Sequence, residues 1–174
     1  MKRHRSSSRG FTFIEAIAYI AALSIVVMAV FLFLVWVMQV HAKNIVLRET
    51  LENAERAMDL ILLEAREAEG LYIPTFTATQ LSLVSNRHVP SSETSTYIDL
   101  FLCGERICMK KEFEYPIALT SDDIRITNLE FRVVATDANI PSLYVTVTAE
   151  YDGPAGKPEF EAEVTLTSAV SFRE

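Results

Sequence analysis

Between Phe11 and Glu69 the sequence contains neither glycine nor proline. The two residues that most often interrupt helices are missing. One continuous helix is therefore predicted, about 90 Å long at 1.5 Å per residue. Metal ligands are scarce as well. Two cysteines and the scattered His4, His41 and His88 do not make a zinc site. Asp122-Asp123 and Asp137-Ala138-Asn139 offer oxygens, but calcium takes six or more, and turn chemistry accounts for both pairs. His88, in Asn86-Arg87-His88-Val89-Pro90, reads as a loop residue rather than a base. No phosphate-binding loop, nucleophile elbow or metalloprotease motif occurs, and there is no large repeat or low-complexity block. No catalytic residue, metal or cofactor is predicted, and the chain is not read as an enzyme.

Charge is divided unevenly. Residues 1–10 hold four Lys or Arg and no acid, whereas the remainder holds 12 basic and 23 acidic residues, a net charge near −11. An acidic body argues against nucleic-acid binding, which calls for a basic surface. From Ala16 to Val40 the chain has no Asp, Glu, Lys or Arg. About 20 apolar residues suffice to cross a bilayer. Lys2, Arg3, Arg5 and Arg9 precede this run and are expected to stay cytoplasmic, with the rest of the chain outside. The run exceeds the 7–15 residues of a secretory signal core. Glu15 is the exception at its head. A carboxylate at the edge of an apolar span is expensive, and such groups mark function by default. The bland alternative is a snorkelling acid favoured by the helix N-terminal dipole.

The residues around that acid carry a resemblance. Gly10-Phe11-Thr12-Phe13-Ile14-Glu15, behind a basic leader and ahead of a long apolar helix, resembles the cleavage and methylation segment of type IV pilins and type II secretion pseudopilins. Phe13 stands where leucine is commoner, and the proline that many members carry in the membrane half is absent. The specific match covers roughly the first 40 residues. The resemblance implies a prepilin peptidase that cuts between Gly10 and Phe11 and methylates the new amine. It implies assembly through Phe11 and Glu15, the acid of one subunit neutralising the amine of the next. The expected partners are that peptidase, other pilin or pseudopilin subunits in a helical filament, and membrane lipid before assembly. The expected location is the bacterial inner membrane, single-pass with the head extracytoplasmic, and then a pilus or pseudopilus. The alternative is an uncut, single-pass protein whose β-rich head binds a ligand.

The expected organisation is a leader over 1–10, a transmembrane helix over 11–41, an amphipathic helix half over 42–69 and a β-rich head over 70–174. Leu51, Ala54, Met58, Ile61, Leu62 and Ala65 recur at helical spacing, forming a seam for a sheet. Gly70 is read as the helix stop. Beyond it the period becomes two. Leu81 and Leu83 suggest a short strand. Ile98, Leu100 and Leu102 form one alternating set, and Ile107, Met109 and Phe113 another. Gly104-Glu105 supplies a two-residue turn between them. In that register Leu102 faces Ile107, Leu100 faces Met109 and Asp99 faces Lys110. Leu129, Phe131 and Val133 mark a further strand, and Leu143, Val145, Val147 and Ala149 another. A longer last strand takes in Phe160, Ala162, Val164, Leu166, Val170 and Phe172, antiparallel to its predecessor. The fold class is α+β: a long helix packed on an antiparallel sheet head, similar to pilins. Cys103 and Cys108 are diagonal neighbours in the two-residue-turn register, where bridging geometry is marginal. A four-residue loop would set them opposite each other at the cost of placing Asp99 against Glu112. A bridged pair and two free thiols both stay open.

Overall fold

The computed structural model describes residues 12–87, 89, 93–135, 141–154 and 156–172. His4, Gly10, Phe11, His88, Asp137 to Asn139 and Arg173 lie outside the described residues. Helix α1 runs Phe13–Glu67. Strands follow as β1 (Gly70–Leu71), β2 (Gln80–Ser85), β3 (Thr96–Cys103), β4 (Arg106–Lys111), β5 (Ile117–Ala118), β6 (Ile124–Ala135), β7 (Pro141–Tyr151) and β8 (Glu163–Ser171). Short 3₁₀ turns occupy Ile73–Thr75 and Pro158–Phe160. This is α+β architecture: one long apolar N-terminal helix and antiparallel β-sheets. The chain divides into two compact units between His41 and Ala42.

In the second unit, α1 buries one face. Val46, Thr50, Ala54, Ala57, Met58, Ile61, Leu62 and Ala65 are its buried residues, at steps of three and four. Val46 and Thr50 extend the expected seam by a further turn, and Leu51 lies at its half-buried margin. Thr50 satisfies its hydroxyl within the helix by donating to the Val46 carbonyl at 2.9 Å. Ala54, Ala57 and Ala65 are fully covered, so the sheets approach the backbone closely there.

The head has two sheets rather than the one expected. Their strand orders are β1-β2-β3-β4-β5 and β6-β7-β8, all ladders antiparallel. The sheets part because β6 does not pair with its predecessor β5. They meet at isolated backbone bonds, Ile126 N–H to Glu105 O at 2.7 Å and Phe131 N–H to Ala78 O at 2.8 Å. A bulge between Ile126 and Asn128 lets Ile124 and Ile126, then Leu129 and Phe131, all face inward despite their change of parity. Leu81, Leu83, Leu100, Ile107, Leu143, Val145 and Val147 are fully buried in one cluster with Ile61, Met58 and Leu62 of α1.

Several boundaries differ from expectation. The helix ends at Glu67, and Gly70 opens β1 rather than capping α1. Ala68 still donates to Glu64, but the Glu69 amide turns to Val84 of β2, so the ladder takes over from the helix there. Phe113 is not in β4. A turn from Lys111 to Glu114, closed by a 3.0 Å backbone bond, carries it out of the strand and leaves it exposed. Phe160 sits in a 3₁₀ turn before β8, because Pro158 starts that turn.

Polar contacts pin α1 to the strands and loops. Asn53 Oδ1 accepts from the Ser121 amide at 3.1 Å, Lys111 pairs with Glu64 at 3.2 Å, and Arg87 pairs with Glu67. Burial raises the Tyr151 phenol above its ordinary pKa, and Glu49 of α1 and Asp123 add to the shift.

Two outcomes follow from this packing. A fragment beginning at Ala42 is expected to be soluble and to show mixed helix and sheet by circular dichroism. Within it, Ile61→Ala should cost about 2–5 kcal/mol in urea denaturation, from lost transfer energy plus a cavity. Leu63→Ala, on the half-exposed side of the same turn, should cost less than about 1 kcal/mol. Equal losses at the two positions would contradict the burial of one face.

Candidate functional site

The first unit concentrates the unusual chemistry. Among the described residues, α1 is the one helix long and apolar enough to cross a membrane. None of the described side chains of residues 12–41 is buried. Ile25, Val26, Val27 and Met28 are each more than half exposed, and four consecutive residues, about 100° apart, point to every side of a helix. A helix apolar all round needs an apolar environment, either lipid or other protein. Its one serine is held locally. Ser24 donates to the Ile20 carbonyl at 2.8 Å, the usual way a hydroxyl is satisfied inside an apolar helix. The rings of Phe33 and Trp36 lie tilted by 36°, with centres 6.2 Å apart.

Glu15 stands in the first turn of α1. The Thr12 carbonyl accepts from the amides of Glu15 at 3.1 Å and Ala16 at 3.2 Å, so the helix is closed directly behind the acid. The carboxylate is exposed, at the positive end of the helix dipole. No Asp, Glu, Lys or Arg follows it until Lys43. Phe11, its expected partner, lies outside the described residues, as does the Gly10-Phe11 junction.

Cys103 and Cys108 occupy the β3–β4 hairpin. Its register matches the two-residue turn: Leu102 opposite Ile107, Leu100 opposite Met109, Asp99 opposite Lys110, and Cys103 opposite Arg106. Gly104 takes φ +71° as the first turn residue, a conformation that favours glycine. The cysteines are diagonal neighbours in this register, yet their sulfurs are bonded, with Cα atoms 5.8 Å apart. That spacing lies inside the range disulfides tolerate. The twist between paired strands brings such diagonal residues closer than a flat ladder would.

Among the described residues no group of three His, Cys, Asp or Glu could hold a metal ion. Asp122 pairs with Arg106, and the Asp123 carbonyl accepts from the Asp152 amide at 2.8 Å. Alternation alone does not reveal the loop over 113–116, which leaves β4 with Phe113 and Tyr115 outward. The signal in the sequence is Pro116 close behind a run of charges, Lys110-Lys111-Glu112. No family model, no curated protein and no solved structure matches the chain.

The bridge closes a very short loop, with a sequence separation of five. Chain entropy gives such a loop about 2 kcal/mol of stabilisation. Reduction should lower the unfolding free energy by about that amount, read as a lower urea midpoint with the cooperative slope unchanged. An unshifted midpoint would show that the bridge is not formed in solution.

Proposed function

We propose that this chain is a structural subunit, a minor pilin or pseudopilin, of a type IV pilus, type II secretion or DNA-uptake filament. The observation that carries the proposal is the lone Glu15 carboxylate. It stands in the first turn of a helix that is apolar on all sides and otherwise free of Asp, Glu, Lys and Arg as far as Lys43. The basic leader and Gly10-Phe11 junction directly before it supply the rest of the pattern.

In this reading the helix first lies in the inner membrane, leader inside and head outside. Prepilin peptidase removes residues 1–10 and methylates Phe11. The Cys103–Cys108 bridge supports an extracytoplasmic head, since disulfides persist in oxidising compartments. The subunit then exchanges lipid for the apolar helices of its neighbours. Contacts of that kind, which do not close on themselves, generate open filaments.

Glu15 gives this exchange its register. The amine freed at Phe11 is cationic below a pKa of about 7.7–8.0. Carboxylate and ammonium are each costly when buried alone in an apolar filament core. Placing Glu15 of an incoming subunit against the Phe11 amine of its neighbour offsets both costs at one axial position. An internal pair within one subunit is the competing arrangement, since the two residues are four apart in the sequence.

The deciding comparison is wild type against Glu15→Ala, measured as protein in the membrane and protein in sheared filaments. The membrane level should hold, because the span becomes more apolar, while incorporation into filaments falls. Equal incorporation would sink the role of Glu15, and loss from the membrane as well would mark a stability defect.

A further inference from the structure

We infer that the head carries a recognition recess for a cationic side chain, most specifically an arginine, presented by another protein chain. The recess lies on the first sheet where β3 starts, β4 ends and the 3₁₀ turn follows β1. Three rings wall it: Tyr72, Tyr97 and Phe113. Tyr72 and Tyr97 are in contact, with ring centres 4.7 Å apart and planes tilted by 59°. Thr75, Asp99, Lys110 and Glu112 complete its lining, around a volume of about 280 Å³. Ring faces carry negative potential and attract cations, and the planar guanidinium both stacks on rings and donates to carboxylates.

The backbone supports a role for the third ring. Phe113 holds φ +67°, and it is the one described non-glycine residue with positive φ. It occupies the third position of the Lys111–Glu114 turn, where glycine or asparagine is the ordinary choice. A bulky residue in that conformation is an outlier. Nothing in the core repays it, because the Phe113 side chain is 76% exposed. The ring is instead held out over the recess. Such conformations persist where function uses them. Tyr115 follows in the same loop, also exposed.

The acids are anchored. Asp99 accepts from the Ser82 hydroxyl at 2.6 Å, and Glu112 accepts from the Tyr97 amide at 3.2 Å. Both bonds fix a carboxylate while leaving it further acceptor capacity. Lys110 sits opposite Asp99 in the ladder, and no ion pair joins the two at 4.0 Å or less. Its ammonium is therefore a competitor for the incoming cation. Two carboxylates against one ammonium leave the recess net acidic. The recess belongs wholly to the head and does not depend on the assembly reading of Glu15.

The test uses the full chain in detergent micelles, followed by NMR at the ring signals of Tyr72, Tyr97 and Phe113. The probes are acetyl-arginine methylamide and its uncharged isostere, acetyl-citrulline methylamide. Saturable shifts are expected with the arginine probe only. Phe113→Gly should weaken that binding by about fivefold or more, the size of a cation–ring contact. The same variant should leave the denaturation midpoint equal or higher, because glycine accepts the positive φ. Lys110→Met should strengthen binding by removing the internal cation. Equal shifts with both probes, no saturable shift, or a Phe113→Gly protein that binds like wild type would each overturn the inference.

Discussion

One face of α1, from Val46 to Ala65, has to be kept from water, and the head is organised around that requirement. Each large side chain there contributes about 1.5–3 kcal/mol when fully buried. Met58, Ile61 and Leu62 belong to the same cluster as the inward residues of both sheets. The alanines between them let the strands come close. The bulge in β6 serves the same end, since without it either Ile124 and Ile126 or Leu129 and Phe131 would face outward. Salt bridges at Glu64 and Glu67 and the Asn53–Ser121 bond fix rotation about the helix axis, but they are half-exposed and secondary in energy.

The earlier part of the same helix obeys the opposite rule. Its apolar residues point in every direction, so no single sheet could cover them. Charge is excluded with the exception of Glu15, and a carboxylate at the first turn sits where the helix dipole tolerates it. The proposed filament role joins these two regimes. Lipid or neighbouring helices cover the first stretch, the subunit's own sheets cover the second, and the acid marks the register between subunits.

Strong periodicity makes much of this fold legible in the amino-acid sequence. The helix, the Leu81–Leu83 strand, the β3–β4 hairpin register and the antiparallel β7–β8 pair are readable because a buried face constrains every second, or every third and fourth, residue. What escapes is set by longer-range or local backbone geometry. The division into two sheets depends on β6 not pairing with β5, which no residue pattern announces. Phe113 continues the alternation of β4 and is expected inward, whereas a turn with positive φ carries it out. The Cys103–Cys108 bridge turns on ribbon twist. Gly70 has the character of a helix cap, but capture of the Glu69 amide by β2 ends the helical bonding first. The Glu15 segment is legible as chemistry alone, since Gly10 and Phe11 lie outside the described residues.

The most direct measurement is the intact mass of the protein extracted from membranes of cells with an active prepilin peptidase. The expected species starts at Phe11, lacks the mass of residues 1–10 and carries one added methyl group. A chain that keeps residues 1–10 would contradict the filament reading and leave a single-pass anchored protein with a β-rich binding head.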